Sequence, residues 1–403
     1  MFLRLATKSL LNRKGSVLLT LLAMTVSIFV MLGVEHIREQ AKTSFTSTVS
    51  GTDLIVGTRT GSLNLLLYSI FRMGTPTNNI SWQAFERLSA DSAVKWSIPL
   101  SLGDSHKGYR VLGTDSAYFS HFSYGKQQTL TFNQGKAFAG IFDVVLGAEV
   151  ARALGYKPGD KLALSHGIGS TSFSRHADKP FTVTGILNAT GTPVDQTLHV
   201  SLQGLEAVHT SGSVSSEDFD KLTPKSITAV LLGLKSKMTV FHLQRKINTD
   251  NREPLLAILP GVALSELWQA MAILEGTLRL ISVLVFVSAL LGLSAMLLAS
   301  IRERAQEIRL LRTMGASPVF LYWFVELEAM LITLVSVVSG AGLLYLCLSA
   351  AKGYLLAGYG LSIDANVLSL ANIRWLSLVF LFAFIAAFPP SLMAYRGAKQ
   401  SCY

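Results

Sequence analysis

Cysteine is nearly absent from this chain. Two occur in 403 residues, Cys347 inside an apolar run and Cys402 next to the last residue. Residues 38–264 therefore hold none, and no disulfide framework can support them. They must build a core of their own, and roughly 230 residues suffice for one or two subdomains. Charge is scarce too. Asp, Glu, Lys and Arg make up 15% of the chain against 50% hydrophobic residues, and the mean hydropathy is +0.43. That is more apolar than most soluble proteins.

Catalytic signatures are missing as well. No GxSxG occurs, which removes the usual hydrolase elbow. No GxxxxGK[ST] occurs either: Lys126 and Lys136 follow glycines but precede Gln127 and Ala137, so no nucleotide site is visible. The eight histidines (His36, His106, His121, His166, His176, His199, His209 and His242) lie in or beside the segment 38–264. None has HxH or HExxH spacing, and no cysteine helps. His166 and His176 flank one loop and could meet only by folding. They read as dispersed surface or core residues, and no metal is expected.

What is abundant is hydrocarbon in four blocks, near residues 15–34, 277–299, 320–350 and 373–393. Each reaches the roughly 20 residues needed to cross a bilayer. The first exceeds a signal-peptide core of about 7–15 residues, and no A-x-A-like site follows it. The fold expected is an α-helical membrane protein with four transmembrane helices and a large mixed α/β extracytoplasmic domain, comprising an α/β and a β-rich subdomain, between the first and second spans.

The net charge of +10 could suggest nucleic acid, but its location argues otherwise. Arg4, Lys8, Arg13 and Lys14 precede the first span with no acid among them. Arg302, Arg304, Arg309 and Arg312 lie between the second and third, and Arg396 and Lys399 follow the fourth. Basic residues in short flanking segments are the positive-inside signal. Both termini and the loop after the second span are thus expected in the cytoplasm, in a bacterial inner membrane, and residues 38–264 in the periplasm. No nucleic-acid partner is expected.

The organisation expected is an interfacial amphipathic helix at 1–14 and a first span at 15–37. The domain at 38–264 opens on a helical stalk, where Glu35, Arg38, Glu39 and Lys42 form opposite-sign pairs at helical spacing. A proline-free stalk and second span cover 265–300, about 54 Å of helix. A cytoplasmic helix follows at 301–318, then a third span at 319–350, a short outer loop at 351–372, a fourth span at 373–395 and a tail at 396–403. Within the domain, strands are expected at 53–56, 94–100, 109–114, 143–147, 161–165, 181–187, 198–202 and 228–234. Helices are expected at 81–89 with Ser81 as N-cap, at 148–154 and at 240–249. Residues 62–71 read as apolar helix or loop, and 53–71 has no assignable role.

The stretch 301–318, IRERAQEIRLLRTMGASP, is the most informative. Ile301, Ala305, Ile308 and Leu311 line one helical face; Arg302, Glu303, Gln306, Arg309 and Thr313 take the other. Gly315 and Ser317-Pro318 end the run. It reads either as a solvated connector or as a docking element for another protein. Glu326 and Glu328, near the start of the third span, are acids for which interfacial snorkelling and packing against neighbours both remain open. Arg279 and Arg374 mark outer span ends, and Gly340 and Gly342 would permit close helix approach.

These features resemble the MacB/FtsX-type ABC permeases. The resemblance is carried by Glu303-Arg304, Glu307-Ile308 and residues 310–317, by Glu328-Ala329, and by a last span ending in a Pro-containing turn, Pro389-Pro390 through Tyr395-Arg396. The outer segment LGAEVARALGYKPGDKLAL at 146–164 and its continuation through 181–187 and 194–202 are similar to the family's periplasmic core. The resemblance implies a non-catalytic, stand-alone permease that couples ATP hydrolysis by a separate ATPase dimer to movement of its periplasmic domain, for export or release of a periplasmic or outer-leaflet substrate. It implies ATPase coupling by Glu303, Arg304, Glu307, Ile308, Arg309, Arg312, Gly315, Ala316 and Ser317. ATP and Mg would sit in that partner, with no cofactor in this chain. A second permease copy, as a homodimer, and a periplasmic protein are further expected partners. The alternative is a membrane-anchored periplasmic binding or sensor module without an ATPase.

Overall fold

The structure, a computed structural model, describes residues 2–48, 50–166, 179–209, 222–304, 306, 310, 313, 315–359, 366 and 369–400. It divides into two compact units. One comprises residues 1–40, 272–352 and 363–403, the other 41–271 and 353–362.

The first unit is helical. Helix α1 covers Phe2–Leu11 and α2 Lys14–Thr48. Among the described residues, four helices are long and apolar enough to cross a membrane, and α2 is the first. Buried residues in each include Met24, Ile28 and Leu32 of α2, Leu293 and Leu297 of the second spanning helix, Ala329 and Ile332 of the third, and Val379 and Ala383 of the fourth. Large apolar side chains such as Leu22, Leu284, Leu346 and Leu381 stay uncovered, as a lipid-facing surface requires. The helix packing is close where side chains are small. A Cβ on Gly340 would lie 3.1 Å from the Thr25 carbonyl oxygen, whereas one on Gly342 would meet nothing within 4 Å. Of the two glycines, Gly340 is the one that brings helices together.

Residues 41–271 of the second unit lie in sequence between the first two spans and are mixed α/β. Its helices are α3 (Ser62–Ser69), α4 (Trp82–Ser89), α5 (Ala117–His121), α6 (Ala148–Leu154), α7 (Leu202–His209) and α8 (Val240–Asn248). Numbering its main sheet alone, the strands are β1 (Leu54–Thr58), β2 (Val94–His106), β3 (Tyr109–Thr114), β4 (Phe132–Gly135), β5 (Asp143–Leu146), β6 (Lys161–Leu162), β7 (Ser165–His166), β8 (Phe181–Leu187), β9 (Thr197–Ser201), β10 (Ala229–Leu234) and β11 (Leu255–Ile258). The sheet order is β11-β1-β10-β2-β3-β9-β5-β8-β4, with β7 on β2 and β6 on β8. Pairing is antiparallel except for β3 with β9 and β5 with β8.

Strand β2 joins the two halves of this sheet. Its residues 94–100 pair with β10, and residues 101–106 pair with β3 across a register shift. Period-two alternation then sorts the core by face. Ala229 and Leu231 of β10, Ile55 of β1, Leu112 of β3 and Val145 of β5 enter one cluster that runs under the whole sheet. On the other face, Leu54, Val56, Val230 and Leu232 pack with α4 and α8 in one half. Val111, Val144, Leu146, Leu198 and Val200 pack with α6 and α7 in the other.

The helix ends follow from local chemistry. Ser81 caps α4, its Oγ accepting from the Ala84 N–H at 3.1 Å. That hydroxyl also donates to Glu253 at 2.6 Å, and the same carboxylate accepts from the Ser81 N–H at 2.8 Å. Helix α6 ends at Gly155, whose φ of 71° is the left-handed position that glycine adopts without strain. Residues 53–71, without a role in the sequence, supply strand β1, paired on both sides between β11 and β10, and the core helix α3 with buried Leu65, Leu66 and Tyr68.

The remaining helices are α9 (Pro260–Glu303), α10 (Pro318–Tyr359) and α11 (Leu370–Gln400). Two sequence expectations are corrected here. Ser317-Pro318 opens α10 rather than only closing the stretch before it. The Ser317 Oγ accepts from the Phe320 N–H at 3.2 Å, and proline fits the first helical position because its missing N–H would be unpaired there anyway. Pro389 and Pro390 do not form a turn; they lie inside α11, which continues to Gln400. Packed helices in a membrane tolerate interior proline.

Candidate functional site

Arg13, Ser300, Glu303, Arg304 and Glu328 converge at one end of the helical unit, with Ser9 of α1. The amphipathic pattern of α1 buries Ala6 and Ser9 and leaves Thr7 and Lys8 exposed. Just beyond it, Arg13 donates to the Ser300 carbonyl at 2.9 Å and lies 3.7 Å from the Glu303 carboxylate. Arg304 donates to Glu328 Oε1 at 3.1 Å and to the Ser9 hydroxyl, which itself bonds to Glu328. The guanidinium also sits 5.9 Å from the Phe324 ring centroid, within cation–π range. Three chain segments are thus tied together by one buried carboxylate.

The arrangement separates neighbouring residues of the conspicuous charged stretch. Arg304 is only 15% exposed and Glu328 4%, so this arginine is committed to internal packing. Glu303 is 71% exposed and, with its exposed neighbour Arg302, is a charged group there that another protein could touch. Gly315 holds a φ of +97°, a left-handed conformation that glycine adopts without strain. Ala316 is partly buried, and Ser317 is exposed and spent on its cap. Glu307, Ile308, Arg309 and Arg312 lie outside the described residues. Both acids of the third span are buried, so neither snorkels; Glu328 packs as described and Glu326 lies beside Tyr322 and Ser391.

Sequence reasoning missed Ser9 and Arg13 as partners of this site. The available signal was the pair of acids in an apolar helix, since an acid placed there must find a donor.

A second polar cluster occupies the other end of the unit. Glu35 accepts from Arg38 at 2.6 Å and from Arg279 at 3.2 Å, and Arg38 lies 3.5 Å from Glu275. Arg279 and Glu303 are separated along α9 by about 36 Å at 1.5 Å per residue. The two clusters therefore bracket an apolar length close to the bilayer's hydrocarbon thickness of about 30 Å.

Among the described residues, no three His, Cys, Asp or Glu side chains could together hold a metal. Several histidines have structural partners instead. The His106 ring bonds to the Ala163 carbonyl at 2.7 Å and the Tyr156 hydroxyl at 3.0 Å. His121 stacks on Trp96 at 5.5 Å, and His209 faces Asp104 at 3.3 Å. His166 forms part of β7, and His176 lies outside the described residues.

Two family models match the chain. One, described as the MacB-like periplasmic core domain, covers residues 17–249; the other, described as the FtsX-like permease C-terminal, covers residues 279–399. No curated protein sequence matches. Among solved structures, the periplasmic region of MacB from Actinobacillus actinomycetemcomitans is similar at 12% identity and a TM-score of 0.37, over 55% of this chain and 94% of that one. The extracellular domain of the noncanonic ABC-type transporter YknZ from Gram-positive bacteria is similar at 12% identity and a TM-score of 0.32, over 51% of this chain and 99% of that one. The first family match alone spans more than half of the residues, and the chain belongs to the MacB/FtsX-type family of ABC transporter permeases.

Proposed function

We propose that this chain is a permease subunit that converts ATP hydrolysis by a separate ATPase dimer into movement of the domain between its first two spans. The movement serves export or release of a periplasmic or outer-leaflet substrate. The observation that carries the reading is the joint match of the two family models, one on the domain and one on the spans after it. The helix geometry supports it: α9 runs unbroken from Pro260 to Glu303, and a continuous helix transmits displacement along its axis. Exposed Glu303, at the end of that helix, is the assigned contact for the ATPase. Glu307 and Arg309, beyond it in sequence, are further candidates.

The positive flanks support a reading in which both chain ends lie in the cytoplasm of a bacterial inner membrane and the domain in the periplasm. A second copy of the chain completes the permease, and a periplasmic protein is a further partner. Purification of the tagged full chain in a mild detergent from its own cells should recover an ATP-binding subunit in equal amount. The ATPase activity of that complex should lose its dependence on the permease in E303K. A permease that purifies without any ATPase under those conditions would overturn the reading.

A further inference from the structure

Arg72 is a buried cation without a counter-ion. It follows α3 at a φ of 58°, and the Met73 N–H bonds to the Leu67 carbonyl at 3.0 Å. This left-handed helix-closing position usually falls to glycine or asparagine, and a larger residue there is strained. The side chain does not escape to solvent. The residue is only 8% exposed, and Nη1 donates back to the Ser69 carbonyl. Its Nε has no partner. Among the described residues no carboxylate pairs with it, and the ionisable group acting on it favourably is the Tyr118 phenol. Buried charges are as a rule paired. This one instead faces a second cation: Arg110 feels the repulsion of Arg72 as it donates to the Gly74 carbonyl at 2.7 Å.

The neighbours of Arg72 are also incomplete. Tyr118 is fully buried, and its Oη lacks a partner in bonding geometry although the guanidinium lies beside it. His199 stands between Leu198 and Val200, so alternation along β9 turns it to the opposite face, where its ring packs 5.2 Å from Tyr118. Its Nδ1 bonds toward the Val145 carbonyl at 3.4 Å, and Nε2 has no partner. Burial, and then the Arg72 charge, push this imidazole down to about 3. At neutral pH it therefore carries one proton, on Nδ1, and offers Nε2 as an acceptor. The locus thus combines guanidinium donors, a phenol and an imidazole acceptor, with two cations, Arg72 and Arg110, against the Asp195 carboxylate whose charge reaches Tyr118.

We propose that Arg72, Tyr118 and His199 form a binding site for a phosphate group, whose oxygens accept from Arg72 and Tyr118 and whose hydroxyl donates to His199. Residues 73–75, which follow Arg72 directly, are exposed, and Arg110 holds them at the Gly74 carbonyl. A carboxylate would satisfy the guanidinium but leave His199 unpaired, and chloride would do the same. A phosphate monoanion satisfies all three groups. The group could belong to free phosphate or to a phosphomonoester.

The test uses the full-length protein in detergent micelles at constant ionic strength, with inorganic phosphate, glycerol 3-phosphate, acetate and chloride as probes. Phosphate should raise the thermal midpoint with the logarithm of its concentration, and acetate and chloride should not. A response to inorganic phosphate alone assigns the site to the free ion; a response to both phosphates assigns it to a phosphomonoester. Y118F and H199F, which keep the buried charge, should weaken phosphate at least tenfold. R72M should abolish the response while raising the midpoint measured without phosphate. A midpoint indifferent to both phosphates, an equal response to acetate, or an unchanged response in Y118F and H199F would each overturn the proposal, and none of these readings requires R72M to fold.

Discussion

Arg304 and Glu328 meet at 3.1 Å, although 24 residues separate them and one belongs to the most charged stretch of the chain and the other to an apolar helix. Charge alone would place both in an exposed loop or at a partner surface. Their exposures of 15% and 4% show that the pair is internal packing. Removing either partner strands the other, which costs about 3–5 kcal/mol for a buried pair. R304A and E328A should each lower the thermal midpoint of the purified protein sharply. The double variant should be more stable than the two losses added together, because neither charge is left alone. Additive losses would show that the two side chains do not interact.

Asp115 should make the domain more stable in mild acid. Its carboxyl is pushed up to about 6, from an ordinary 3.8, chiefly by burial and against the pull of nearby backbone N–H groups. For a group raised on folding, the stabilisation is fully present below the unfolded value and is lost as pH rises through the folded one. The window is therefore roughly pH 4 to 6. The folded state at pH 7 carries a penalty on the order of 3 kcal/mol from this group. D115N, neutral throughout, should be more stable than the parent at pH 7, with the gap closing toward pH 4 in urea titrations of the full chain. A gap independent of pH would remove the carboxyl as its source.

Much of this architecture was legible in the chain. Four apolar blocks and their basic flanks carry the spanning pattern. Ser81 as an N-cap, the helix at 148–154 and the strand at 181–187 follow from capping chemistry and periodicity, which are local properties. Other features were not legible because their cause lies far off in sequence. Strand β11 is short and lies between Pro254 and Pro260, and only its pairing with β1 makes it a strand. Pro389-Pro390 looked like a stop signal, but packing holds the helix together there. At the candidate site, the family resemblance put Arg304 with Glu303 in one coupling surface. Only the approach of Ser9 and Glu328 revealed that the two adjacent charges serve different surfaces.

His209 should titrate above its ordinary value of 6.5. The hydrogen bond it donates to Asp104 raises it, with burial opposing, and the charge of Asp104 adds to the rise. The contact joins the end of α7 to β2 at 3.3 Å. Its stabilisation should be complete below pH 6.5 and fade as pH rises through the folded value. NMR titration of histidine-labelled protein should show this resonance moving toward lower pKa in D104N. A resonance that titrates identically in both proteins would show that Asp104 does not hold the proton.

Glu303 offers the sharpest separation of docking from folding. Its pairing with Arg13 is long, at 3.7 Å, and the carboxylate is 71% exposed, so the contact contributes at most about 1 kcal/mol. E303K should leave the thermal midpoint of the isolated chain within 2–3 °C or so of the parent, a shift expected of a small surface term in a large domain. The same variant should lose the ATPase subunit during purification, or retain it with hydrolysis no longer responsive to the permease. Arg13 controls for the internal half of the contact: R13K keeps the charge facing Glu303 and should retain the ATPase. If E303K unfolds the chain, Glu303 belongs with Arg304 in the packed cluster. If E303K binds and drives the ATPase as the parent does, the partner surface lies elsewhere on the molecule.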